Sequence, residues 1–230
     1  AIFCVVAPDD QSSRILVGNF HSGSGFGFGI SDGVGNSMKF WTSAGGASLE
    51  SGVSDYTPGE PVTVAAIWAG LGDNRGEKVT YVNGSAIASN IDPDVPLQPG
   101  YNGNNDFRIG AGSTLVQDFK GHIAEVLVYQ DAGVRAAVEN YFAEKYFRAP
   151  SASAPGTPLY HFDAAGSGVQ ESGGTVTGWA DETGQLGAGT NGGGATLSSF
   201  DFPNGSFPTV DLDGGHFGNN AGFSYGVQAA

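Results

Sequence analysis

Residues 2–7, Ile2-Phe3-Cys4-Val5-Val6-Ala7, are apolar without a break, the pattern of a strand covered on both faces. Further strand-like runs follow at residues 12–20, 25–30, 38–42 and 62–68, separated by clusters of Gly, Asn, Asp and Ser. Residues 78–82 run into Asn83-Gly84 and then residues 85–88. An Asn-Gly pair between two such runs is a strong hairpin signal, because both residues tolerate positive φ. Residues 107–110 and 122–129 complete this set of predicted strands. One segment has a different period: Val134, Val138, Tyr141 and Phe142 fall at i, i+4, i+7 and i+8, one face of a helix over residues 134–147.

Beyond Phe147 the pattern weakens. Residues 149–158 form a Pro/Ala/Ser linker without apolar periodicity. The remaining residues, 159–230, carry only three or four weak strands: residues 159–163, 176–179, 209–214 and 223–225, with a Gly-rich stretch at 184–194. A β piece of that size without disulfide or metal has too little core to stand alone. The chain therefore divides into a body (residues 1–148), a linker (149–158) and a tail (159–230) that needs a partner.

Composition supports an all-β, globular chain. It has 39 Gly and 11 Pro in 230 residues but is 40% hydrophobic and 11% aromatic, enough apolar surface to form a core. A formal charge of −14 disfavours nucleic acid and anionic lipid as partners. No apolar run is long enough to span a membrane, and the opening run is too short for a signal-peptide core. The absence of an initiator Met is that of a processed chain or one unit of a longer protein. The single cysteine, Cys4, lies inside a predicted strand and reads as a core residue.

Three pieces of the chain resemble one family. The first is Phe119-Lys120-Gly121-His122-Ile123-Ala124-Glu125-Val126-Leu127-Val128-Tyr129 with the helix that carries Arg135, Val138, Glu139, Tyr141, Lys145 and Tyr146. The second is the strand at 62–68 with the Tyr81-Val82-Asn83-Gly84 hairpin. The third is Leu159-Tyr160-His161-Phe162-Asp163-Ala164 with Val176-Thr177-Gly178-Trp179-Ala180-Asp181 and residues 208–214. Together they resemble bacterial laminin-G-like jelly-roll domains of the concanavalin A-like lectin/glucanase superfamily. The resemblance implies a β-sandwich of two antiparallel sheets with one helix. It also implies that the opening strands of the domain stand last in this chain, after the closing helix. The tail then either folds back on its own body, as in a circular permutation, or completes a neighbouring copy.

Candidate chemistry is sparse. The superfamily's glucanases use carboxylates alternating along one strand, whereas this chain has one acid there, Glu125, read as lying on the same face as Ile123 and Leu127. Glu125 is expected to be a structural group paired with Lys or Arg, and no catalytic residue is assigned. His21, His122, His161 and His216 are scattered without ligand-like spacing. Oxygen-rich loops make Asp92, Asp94, Asn104 and Asp106 candidate ligands for Ca2+, although Asn, Asp and Gly are also ordinary turn formers. Tyr101 is the candidate glycan platform, while Trp41, Trp68 and Trp179 sit in strand-like contexts that favour the core. The expected function is a non-catalytic extracellular structural or adhesive module at the cell surface, joined to copies of itself in a filament or tandem array. A carbohydrate-binding, lectin-like domain that uses calcium is the alternative.

Overall fold

The computed structural model describes residues 1–10, 14–18, 26–30, 38–42, 48–50, 56–70, 76–92, 102–103, 107–111, 118–148, 155–186, 189–213, 216–219 and 223–224. The body contains β1 (Ile2–Pro8), β2 (Arg14–Gly18), β3 (Phe26–Ile30), β4 (Met38–Thr42), β5 (Ser48–Glu50), β6 (Val62–Gly70), β7 (Gly76–Val82), β8 (Ser85–Asp92), β9 (Asn102–Gly103), β10 (Phe107–Ile109) and β11 (Lys120–Val128). A helical segment follows: a 3-10 turn at Ala132–Val134, α1 (Arg135–Phe142), and a wider π turn at Ala143–Arg148. The tail supplies β12 (Tyr160–Asp163), β13 (Val169–Ser172), β14 (Thr175–Trp179), β15 (Gly189–Asn191), β16 (Ala195–Phe202), β17 (Gly205–Asp213), β18 (Phe217–Asn219) and β19 (Phe223–Ser224).

The ladders are antiparallel and form two layers. In the front layer, β8, β7, β6, β1 and β11 are successive neighbours. The free edge of β11 is shared by two tail strands: β17 pairs with Lys120–Ile123 and β12 with Glu125–Val128. The back layer runs β13, β14, β15, β18, β10, β2, β3, β4, β5. Tail strands thus stand in both layers. The architecture is a concanavalin-like β-sandwich with one helical segment.

Alternation along the front strands sorts side chains between two cores. Ile2, Cys4 and Val6 of β1, with Val62, Val64 and Ala66 of β6, face inward and meet Leu16, Phe28, Ile30 and Phe40 of the back layer. Cys4 is fully buried there, and burial pushes its thiol pKa up, so it is an inert packing residue. Phe162 of β12 faces the same core, stacked 6.0 Å from Phe107 and edge-on to Trp179 at 5.9 Å. The opposite face of β1, with Phe3 and Val5, packs under Val138, Tyr141, Phe142 and Tyr146 of the helical segment. The predicted helical face is therefore the buried one, over the outside of the front layer.

The Asn83-Gly84 pair forms the β7–β8 turn, both residues at positive φ (48° and 76°), as the sequence suggests. The β16–β17 hairpin, a strand pair not anticipated from the sequence, turns instead through Pro203-Asn204, with Gly205 opening β17 at φ 134°. This hairpin reaches over the end of the helical segment. There the Asn204 side-chain amide donates to the Lys145 carbonyl (2.8 Å), and its backbone N–H donates to that of Tyr146 (3.1 Å). These bonds satisfy carbonyls that a helix end leaves without partners.

Candidate functional site: a buried charge cluster at the β11 edge

Glu125 reaches its position because β11 has a bulge. β1 and β11 register Val5 with Glu125 but Val6 with Ile123, so Ala124 is the extra residue. Ile123 consequently faces the core between the layers, while Glu125 and Leu127 face the helix. The expectation that Ile123, Glu125 and Leu127 share one face is corrected here: a strict two-residue alternation takes no account of a bulge.

The Glu125 carboxylate has no exposed surface, and its oxygens accept from four side chains. The Tyr141 hydroxyl donates to Oε1 and Oε2 at 2.8 and 3.0 Å, and the Tyr146 hydroxyl donates to Oε2 at 2.8 Å. Lys145 Nζ lies 2.9 Å from Oε2, and His161 Nε2 lies 2.7 Å from Oε1. Three of these partners come from the helical segment. Tyr141 and Lys145 are one α-turn apart, while Tyr146 is five residues from Tyr141. The π turn over Ala143–Arg148 brings that fifth residue back onto the same face.

The other partners come from the tail. In the β11–β12 ladder, Asp163 stands opposite Glu125 and His161 opposite Leu127, which places both on the helix side. Lys145 Nζ reaches Asp163 Oδ2 at 2.6 Å, and His161 Nδ1 lies 3.5 Å from Glu182 Oε2. Asp181, itself buried, accepts from the backbone N–H of His161, Thr183, Gln185 and Leu186. That anchors the loop after β14 beside the cluster. The tail thus brings an acid to the body's lysine and an imidazole to the body's carboxylate.

Electrostatics follow from this crossing of charges. Burial alone would raise the Glu125 pKa; the hydrogen bond from His161 and the charge of Lys145 outweigh it and hold the carboxyl below its ordinary value. Burial would lower the pKa of His161, but its hydrogen bond to Glu125 and the charge of Glu125 raise it. Lys145 is likewise raised: burial opposes its charge, and Glu125 and Asp163 overcome that. Burial and the Glu125 charge push Tyr141 and Tyr146 well up, so both stay protonated as donors. Glu125, His161 and Asp163 each offer a ligand-type atom, all within 4.8 Å of one another. The Lys145 ammonium already bridges the two carboxylates at 2.9 and 2.6 Å. The cation of this site belongs to the chain, and the donor set does not fit a metal.

Other residues singled out from the sequence lie elsewhere. Asp92 ends β8, opposite Gly76, and Asp94, Tyr101, Asn104 and Asp106 lie outside the described residues. Trp179 is fully buried, Trp68 packs against the inner core, and the Trp41 side chain lies outside the described residues. His161 is the residue that sequence spacing missed, since its partner Glu125 is 36 positions away. A groove beside α1, lined by Phe3, Tyr81, Gly84, Glu139 and Phe142 among others, encloses about 10 Å3, room for about one water and far below the roughly 300 Å3 at which small-molecule pockets begin.

A laminin-G-type family model, described as the concanavalin A-like lectin/glucanases superfamily, matches residues 2–138. The chain belongs to this superfamily. The matched residues hold β1 to β11 and the start of α1, and β12 to β19 lie beyond them. No curated protein and no solved structure matches the chain. Membership fits a non-catalytic or lectin-like module. Laminin-G-like domains are commonly extracellular, and among the described residues no helix is long and apolar enough to cross a membrane.

Proposed function

We propose that the protein is a non-catalytic extracellular structural module that joins copies of itself head to tail, with residues 159–230 as the complementing element. In this reading the tail is the opening part of the superfamily fold, set after its closing helix. The observation that carries it is the edge of β11, which the matched body leaves open and the tail fills along nearly its whole length, from Lys120 to Val128. Main-chain pairing of this kind works equally well within one chain or between two. Tyr129 donates to the Pro155 carbonyl at 2.8 Å and fixes the start of the tail against the host body. Residues 149–154 then remain as the joint, and six residues reach at most about 20 Å. A neighbour that receives the tail must therefore sit close, as in a packed array. A head-to-tail contact of this type grows into a filament unless it closes into a ring.

The non-catalytic part of the reading is supported by Glu125. Its oxygens are taken by protein donors beneath the helical segment, and a carboxylate so engaged is unsuited to act as acid or nucleophile. A carbohydrate-binding role is the second reading, favoured by the lectins within the superfamily's description. It is tested by a glycan array, on which specific, saturable binding supports it.

The primary test is molar mass by size exclusion with light scattering over a dilution series. Open-ended oligomers that persist on dilution are expected. A single-chain mass at every concentration overturns the assembly and leaves the lectin as the leading reading.

A further inference from the structure

The crossed charges at the β11 edge do more than fill space. The body offers a carboxylate (Glu125) and, beside it, an ammonium (Lys145). The incoming strand offers the opposite signs in the opposite places: His161 on Glu125 and Asp163 on Lys145. Between them Phe162 points the other way, against Phe107 and Trp179. A strand that slips by two residues keeps its faces but brings no carboxylate to Lys145 or no imidazole to Glu125. A slip by one residue puts both charges into the apolar core. An edge of main-chain donors and acceptors has no such preference, because any extended segment can pair with it.

We propose that Glu125 and Lys145 form the specificity determinant of the β11 edge, admitting a strand with an imidazole and a carboxylate two residues apart around an inward aromatic, in this register. Within this chain β12 is that strand. Resting on the complementation reading above, the acceptable outside partner is β12 of a second copy. The mechanism is selection by mismatch: a foreign strand leaves buried charge unpaired, and an unpaired buried charge is far more costly than the pair is stabilising. Lys145 and Asp163 are 16% and 14% exposed, and Glu125 is not exposed at all, so solvent does little to relieve a wrong partner.

The test uses the full chain in four samples: Lys145→Met, Asp163→Asn, an equal mixture of these two, and the double variant. Lys145→Met leaves both Asp163 and Glu125 without the ammonium and is expected to lower the melting temperature by about 6–12 °C. The double variant removes the unpaired Asp163 charge while Glu125 keeps Tyr141, Tyr146 and His161, and it is expected to regain at least half of that shift. In the mixture each body has a matching tail only on the other chain, charged with charged and neutral with neutral. A species of two or more chains, melting above either single variant, is expected. Recovery in the double variant without a mixed species supports the selectivity and removes the second copy as partner. A double variant that melts as low as the sum of its singles overturns the proposal, whatever the mixture does.

Discussion

Glu125→Ala is the sharpest perturbation of the cluster. The substitution removes the acceptor of the Tyr141 and Tyr146 hydroxyls at 2.8 Å, of Lys145 at 2.9 Å and of His161 at 2.7 Å. A buried hydroxyl left without a partner costs about 1–3 kcal/mol. Breaking a buried ion pair by removing one member costs about 3–5 kcal/mol. These costs overlap, because Lys145 keeps Asp163 at 2.6 Å and His161 sheds its proton rather than remain charged. The expected loss is therefore about 4–5 kcal/mol, the size reached when a buried network is broken. At about 2–4 °C per kcal/mol for a chain of this length, the melting temperature falls by about 8–20 °C. Glu125→Gln keeps the shape and one carbonyl oxygen, and about half the loss is expected. Urea unfolding followed by tryptophan fluorescence measures both, since Trp179 sits in the core. A loss under about 1 kcal/mol for Glu125→Ala would refute the reasoning, because a cluster so loosely coupled could not hold the tail to the body.

Three further outcomes are expected. Glu125 is held below its ordinary value of 4.5, so its contribution is present above that pH and lost as pH falls through the lowered value. His161 is raised above 6.5, so its contribution is present below 6.5 and lost as pH rises through the raised value. Stability is expected to be greatest between these limits and to decline as pH rises through the raised His161 value, with the decline abolished in His161→Gln; a decline unchanged in that variant argues against the assignment. Gly121 sits at φ 130° with the Ala7 carbonyl oxygen where a Cβ would go. Gly121→Ala should therefore cost about 1–3 kcal/mol or more by urea unfolding, and an unaffected variant would mean that the β1–β11 register is wrong there. Calcium held by the loops around Asp92, Asp94, Asn104 and Asp106 should raise the melting temperature in a way that a chelator reverses; no shift in either direction removes that site.

Much of the front layer was legible because burial writes itself into the sequence as unbroken apolar runs. β1 reads this way, β6 and β11 do so with single polar interruptions at Thr63 and Glu125 in their apolar stretches, and the periodicity of Val134, Val138, Tyr141 and Phe142 marks the face that α1 buries. The Asn83-Gly84 turn was legible from its need for positive φ. The β16–β17 hairpin turns through Pro203-Asn204 without that signature, and its largely exposed strands give no clear apolar run. The site was legible only in part. Glu125 stood out as a lone acid in an apolar strand, and its pairing with Lys145 matches the expected structural role. Its full set of partners did not show, because each depends on a geometric exception or a long-range pairing. The bulge at Ala124 re-aims the strand, the π turn realigns Tyr146 with Tyr141, and the β11–β12 ladder brings His161 across 36 positions. None of these leaves a periodic trace in one sequence.

The most direct test asks whether the tail belongs to the sandwich. A protease site placed within residues 149–154 of the full chain, followed by cleavage and size exclusion at high dilution, reads this in one step. The tail is expected to remain with the body, held by β12 and β17 on β11, and to leave only when the protein unfolds. A tail that separates while the body keeps its native circular dichroism and melting temperature would contradict the account.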